Sequence, residues 1–281
     1  IKTPNEEIKP RCLRGKMMKK NKAKEKLING EPILGIFQGF NSIDLTEMCG
    51  YSGYDFIILD TEHGPMSAET CIPMICAAER TNTVPVIRVS ENEKSYVLKA
   101  LDVGAMGIIF PMISTVEDAK KAIFLTKYIQ KGDEKRKEFR GMVDMSRAAG
   151  YGITNDLNMH IQTSNNEIMI IVQFETKEAI ENLDEILKLK EIDVVLIGSL
   201  DLSQSLGYPG EVDNPIVKDI IKKAIKKIVN AGKAAGIVVA SPDAIKYWLD
   251  LGVKFITYHQ TYIIREALEN HITKFKQLLS K

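Results

Sequence analysis

Short apolar runs alternate with amphipathic stretches along most of the chain. The runs cover 33–38, 55–60, 84–89, 107–112, 168–174, 194–197, 236–240 and 255–258. They are rich in Ile and Val and lack polar alternation, the pattern of strands buried on both faces of a parallel sheet. Helical patterns lie between them. Ser114-Thr115-Val116-Glu117 offers a cap before 118–130, Thr176 precedes 177–189, and Asn214-Pro215 opens 216–230, which ends at Gly232. Eight strands, each followed by a helix, predict an α/β fold of the (β/α)8 TIM-barrel type as one domain over 31–281. A doubly wound open sheet is the rival, but no Gly-x-Gly-x-x-Gly follows the first strand.

Outside this rhythm, residues 1–30 read as a basic helical extension, with Lys16, Lys19, Lys20, Lys22 and Lys24 close together. No aromatics interleave with those charges, so a solvated helix packed by Leu13, Met17 and Leu27 is expected rather than an RNA contact. The run 131–140 is too charged for a core and reads as a solvated insertion. It leads into a long loop, 141–166, of a length usually tied to function.

Composition narrows the function classes. With 38 basic and 37 acidic residues the formal charge is +1, so no global field favours nucleic acid or membrane as partner. No apolar run approaches the roughly 20 residues of a membrane helix, and no charged-then-apolar leader opens the sequence as given. Cys12, Cys49, Cys71 and Cys76 form no Cys-x-x-Cys pattern and read as reduced thiols of a cytoplasmic protein.

In a barrel the C-terminal strand ends face the active site, and polar residues collect there. Strand two ends in Asp60-Thr61-Glu62-His63-Gly64-Pro65, strand three at Arg88, strand five in Gln173-Phe174-Glu175-Thr176 and strand six in Gly198-Ser199-Leu200-Asp201. Glu175 and Asp201, on neighbouring strands, suit a hard divalent cation such as Mg²⁺ or Mn²⁺, which takes oxygen ligands and needs only one or two protein carboxylates. Each acid alone reads equally well as a helix first-turn residue. His63, kept on a loop by Gly64-Pro65, is a candidate general base oriented by Asp60. Arg88 ends an otherwise buried strand, and its charge needs an anionic partner. Of the remaining histidines only His259 reaches the mouth, and a packing or rim role is expected for it.

Together these motifs, with Val86-Ile87-Arg88, Leu101-Asp102-Val103-Gly104-Ala105 and Phe110-Pro111-Met112, resemble the HpcH/HpaI family of class II 2-oxo-acid aldolases, from about Leu34 to the C-terminus. Arg140-Gly141 and Ser146-Arg147-Ala148-Ala149-Gly150-Tyr151-Gly152 look like that family's loop before the fifth strand. The resemblance implies that Glu175 and Asp201 bind Mg²⁺ or Mn²⁺, or alternatively Co²⁺. It implies that His63, paired with Asp60, moves protons, that Arg88 stabilises the enolate oxygen of pyruvate, and that Gln173 lines the metal site. The backbone of Gly198, Ser199 and Leu200 would hold the substrate carboxylate. Asp102 would serve a neighbouring subunit's site in a homohexamer, a trimer of dimers whose C-terminal helices exchange between partners. The implied reaction makes or breaks a carbon–carbon bond of a 4-hydroxy-2-oxo acid, giving pyruvate and an aldehyde. A related lyase or synthase acting on oxaloacetate or a citryl-CoA-type substrate is the alternative, and a non-catalytic RNA-binding protein is a different class again. Schiff-base chemistry is disfavoured because no lysine ends a core strand; Lys254 precedes strand eight. Two motifs depart from the family pattern. Leu200 stands where relatives have alanine, and Tyr258-His259-Gln260 where they often have Gly-Val-Asp.

Overall fold

A computed structural model describes residues 20–132, 136–153 and 156–279. The expected packing by Leu13 and Met17, together with Lys16, Lys19 and Cys12, lies outside the described residues.

Eight parallel strands form the closed barrel: β1 (Ile33–Gln38), β2 (Phe56–Asp60), β3 (Val84–Arg88), β4 (Gly107–Phe110), β5 (Met169–Phe174), β6 (Val194–Ile197), β7 (Ala234–Val239) and β8 (Phe255–His259). They pair in sequence order, and β8 closes on β1 with Ile33 opposite Phe255 and Phe37 opposite His259. Because side chains alternate along a strand, every run splits in two. Ile33, Phe37, Phe56, Ile58, Val84, Val86, Ile109, Met169, Ile171, Val194, Leu196 and Phe255 fill the barrel interior. Their neighbours, among them Ile57, Leu59, Ile87, Ile108, Ile170, Val172 and Ile256, pack under the helices.

Around the barrel run α2 (Ile43–Tyr51), α3 (Ala68–Thr81), α4 (Lys94–Asp102), α5 (Val116–Thr126), α7 (Lys177–Ile186), α9 (Pro215–Asn230) and α10 (Ile245–Asp250), with the short α8 (Ser199–Ser205) directly after β6. The expected start signals act as caps. The Thr115 side chain accepts from the backbone of Asp118 while Asp118 accepts in return, and Thr176 and Asn214 cap α7 and α9. Two helices end earlier than their patterns suggest. α5 stops at Thr126 because Tyr128 and Asn165 exchange hydrogen bonds, Tyr128 N–H to Asn165 Oδ1 at 2.8 Å and Asn165 Nδ2 to Tyr128 O at 3.1 Å. α7 stops at Ile186.

Outside the strands, one expectation changes and two take on a definite place. The described end of the N-terminal segment, α1 (Lys22–Ile28), is helical as expected and plugs the N-terminal end of the barrel: Leu27 packs against the interior core, Ala23 is fully buried, and Asn21 Nδ2 donates to the carbonyls of Met106 and Glu167. The long loop and its helix α6 (Leu157–Glu167) connect the end of α5 to the start of β5, which places this connection at the N-terminal end of the barrel. There Arg147 pairs with Glu79 at the end of α3 and donates to Val103 O. The charged run 131–140 is not wholly solvated. Arg140 is buried, with its guanidinium 4.3 Å from the Tyr128 ring centre and 4.0 Å from Asp102.

The last helix, α11 (Gln260–Leu279), leaves the barrel with Ile263, Leu268, Ile272, Phe275 and Leu278 exposed. Among the described residues no helix is long and apolar enough to cross a membrane.

Candidate active site

Period-two alternation carries the interior face of the strands up into polar chemistry. Above the apolar fill, whose last layer includes Phe37, the inward positions are Asp60, Arg88, Gln173 and His259, all at C-terminal strand ends. Asp60 sits opposite Arg88 in the β2–β3 register. Arg88 Nε donates to Asp60 Oδ1 at 2.9 Å and Nη2 to Oδ2 at 2.6 Å, while Nη1 lies 3.0 Å from Glu62 Oε2. Burial by itself would raise the Asp60 pKa. The hydrogen bonds and charge of Arg88, with the backbone N–H groups of Glu62 and His63, outweigh it and hold the carboxyl below its ordinary value. Glu62 moves the other way: its burial outweighs the pull of Arg88 and His63.

The loop after β2 is fixed by its own residues. Thr61 donates to Arg88 O through both its backbone N–H, at 3.0 Å, and its hydroxyl, at 2.6 Å. Ser90 Oγ donates to Thr61 O. A Cβ at position 64 would stand 2.6 Å from Gly39 O and 2.7 Å from Asp60 O, so only glycine lets the chain turn this closely against the end of β1. His63, just before that turn, is 68% exposed, with Nε2 3.9 Å from Glu62 Oε2. The expected pairing of its ring with Asp60 is not found. Asp60 accepts from the His63 backbone N–H instead, at 3.4 Å, because both of its oxygens are engaged by Arg88.

Glu175 lies just past β5 and is almost fully buried. It accepts from the Met112 backbone N–H at 2.7 Å, presented by a residue with φ of +55°, and from Gln173 Nε2. Burial pushes its pKa up to about 7; those two donors oppose the rise, and the nearby carboxylates of Asp201 and Glu62 add to it. Gly198 is the other glycine the site requires, since a Cβ there would come within 2.3 Å of Glu175 Oε2. Immediately after it, Ser199, Leu200 and Asp201 form the first turn of α8, with Leu200 exposed at the rim.

Oxygen donors of this kind suit a hard cation: Glu175 feels the charges of Asp201 and Glu62, and Gln173 Oε1 is buried without a hydrogen-bond partner among the described residues. Among the described residues no group of three or more His, Cys, Asp or Glu side chains is placed to hold a metal ion.

Asp102 stands apart from all of this. It is the last residue of α4, at the N-terminal end of the barrel, where burial raises its pKa against the opposing charge of Arg140. Sequence reasoning passed over Glu62, Phe37 and the Met112 N–H. Glu62 stood within the strand-two motif, and the period-two count from Ile33 places Phe37 inward. The Met112 donor had no side-chain signal.

Comparison with known proteins agrees with this geometry. The family model described as HpcH/HpaI aldolase/citrate lyase matches residues 34–258. The 2-keto-3-deoxy-L-rhamnonate aldolase of Escherichia coli (strain K12) is 34% identical over 258 residues, 91% of this chain and 93% of that one. An HpcH/HpaI aldolase/citrate lyase family protein from Burkholderia cenocepacia J2315 superposes with a TM-score of 0.86 at 28% identity, covering 91% of this chain and 99% of that chain. Citrate synthase SbnG superposes with a TM-score of 0.80 at 27% identity, covering 92% and 98%.

Proposed function

Since the chain belongs to the HpcH/HpaI aldolase/citrate lyase family, we propose that it is a metal-dependent aldolase that cleaves, or in reverse forms, a 4-hydroxy-2-oxo acid, with pyruvate and an aldehyde as the other side of the equilibrium. The observation that carries this reading is Glu175: a buried carboxylate with its pKa near 7, within reach of the charge of Asp201 and beside the unpartnered Gln173 Oε1. Glu175 and Asp201, with Gln173 beside them, would hold Mg²⁺, Mn²⁺ or Co²⁺. Bound there, the cation would supply Lewis acidity to the oxygens of a 2-oxo acid.

The chain's own residues do the rest. Arg88 spends two of a guanidinium's five N–H groups on Asp60 and stands 3.0 Å from Glu62 as an ion pair, which leaves donors to meet an oxygen gaining negative charge. Asp60 locks the fork in place, so the donors are aimed before charge develops. His63, exposed on its loop, takes the proton of the 4-hydroxyl as the carbon–carbon bond breaks and returns it in synthesis. The backbone of Gly198, Ser199 and Leu200 would take the substrate carboxylate.

The assembly belongs to the same reading. Asp102 lies at the barrel end opposite Glu175, so it reaches a mouth only in another subunit, and α11 carries an apolar face that a second copy would cover. A homohexamer with exchanged C-terminal helices satisfies both. The free thiols Cys49, Cys71 and Cys76 accord with a cytoplasmic enzyme. A second reading, condensation on oxaloacetate, is favoured by the likeness to citrate synthase SbnG.

The test is deuterium exchange into the methyl group of pyruvate in D₂O. Exchange that stops on chelation and returns with Mg²⁺ or Mn²⁺ supports the reading, and its absence under all three conditions overturns it.

A further inference from the structure

His259 ends β8 at a position where the family resemblance leads one to expect a small residue. It faces the barrel interior in the same layer as Arg88: its ring stacks on Phe37 at 6.2 Å and 9°, and the Arg88 guanidinium lies 4.7 Å over the other partner of that stack, the Phe37 ring. Tyr262 closes the outer side at 5.9 Å. The ring is therefore held by aromatic neighbours and is not free to swing away.

Its protonation pattern is set locally. The Thr261 backbone N–H donates to Nδ1 at 3.3 Å, so Nδ1 is the acceptor nitrogen and a neutral ring carries its proton on Nε2. The Nε2 edge lies over Gly39, which has no side chain to cover it, and Nε2 has no hydrogen-bond partner among the described residues. Burial lowers the His259 pKa, with Arg88 adding to the effect and Asp60 opposing it, which favours the neutral ring.

We propose that His259 is a specificity-determining residue that recognises the aldehyde half of the substrate, its Nε2–H donating to a hydroxyl oxygen beside the new carbon–carbon bond. This rests on the aldol reading above and adds to it a residue that selects between acceptors, favouring a hydroxyaldehyde over an alkyl aldehyde. A neutral donor whose partner is replaced by a methyl group discriminates because the polar group is left without that partner.

The experiment compares condensation of pyruvate with glycolaldehyde and with propanal, which replaces the hydroxyl by a methyl of similar size. The readout is the ratio of the two kcat/KM values, which does not depend on the fraction of active enzyme. Wild type should prefer glycolaldehyde. His259→Phe, which keeps the stack on Phe37 and lacks the donor, should lower the ratio about tenfold or more. His259→Gln, which retains an N–H, should restore part of it. His259→Leu supplies the same comparison if the phenylalanine variant does not fold. A ratio unchanged in both donor-less variants overturns the role of His259 and leaves the aldol reading standing. A wild-type enzyme that condenses pyruvate with neither aldehyde and exchanges no pyruvate protons overturns both.

Discussion

Arg88 and Asp60 occupy matched positions on neighbouring strands and meet through two parallel hydrogen bonds, both residues buried at the top of the barrel interior. Removing one partner of such a pair leaves an uncompensated charge, at a cost of roughly 3–5 kcal/mol. Asp60→Ala should therefore destabilise the barrel by that order in denaturant unfolding, and Asp60→Ala/Arg88→Met should recover part of the loss. A single-variant cost below about 1 kcal/mol would mean that solvent reaches and screens the pair.

The same guanidinium and the loop histidine separate two chemical steps. Losing a charge-stabilising donor costs about 10²–10³ in rate, and losing a general base roughly 10²–10⁴. Arg88→Ala should depress both pyruvate proton exchange and aldol cleavage, and Arg88→Lys should not restore them, because a point charge lacks the planar fork. His63→Ala should depress cleavage by more than exchange. Equal losses in both assays for His63→Ala would assign it to both steps, and normal exchange in Arg88→Ala would reduce the arginine to a structural counter-ion.

Cation binding is tested on the protein directly. Glu175→Gln and Asp201→Asn should each abolish most Mn²⁺ binding in calorimetry while leaving the far-ultraviolet circular dichroism of the barrel intact. Wild-type affinity in either variant removes that residue from the ligand set.

A pH dependence follows from the raised pKa of Glu175, about 7 against an ordinary 4.5. Between those values the folded protein holds a proton that the unfolded chain has released. Stability of the metal-free protein should therefore fall as pH rises through this window, by at most about 1.4 kcal/mol per unit, and level off above 7. Chelated protein melted from pH 4.5 to 8 should show this slope, and Glu175→Gln should flatten it. Parallel profiles for the two proteins would place the Glu175 carboxyl in a more polar setting than its burial implies.

Asp102 gives the assembly its test. Asp102→Ala and His63→Ala, each inactive alone, should regain activity when unfolded together and refolded as mixed oligomers, since some mouths then receive a complete set. A fully active monomer in sedimentation would reject the shared site.

The strand count, the parallel order and the barrel were legible in the sequence because a strand buried on both faces must be apolar at every position, and eight such runs occur between capped helices. The strand-end motifs were legible for a related reason: polar groups that terminate apolar strands mark where the barrel opens to solvent. Glu175, Asp201, Arg88 and Gln173 could be named from that rule alone, and the tertiary structure then brought them to one mouth. What it alone decided were contacts between residues distant in sequence. Which partner Asp60 takes depends on the β2–β3 register, which gives its oxygens to Arg88 and leaves the His63 ring outside. Whether Arg140 is solvated depends on Tyr128 and Asp102, contributed by other segments, so a charged run could not announce a buried guanidinium. The end of the barrel at which the long loop lies follows from helix direction, not from loop length. His259 shows the division within one residue: its position at a strand end was plain from the sequence, but the inward side of β8 and the stack on Phe37 exist only once the barrel closes and sets β8 beside β1.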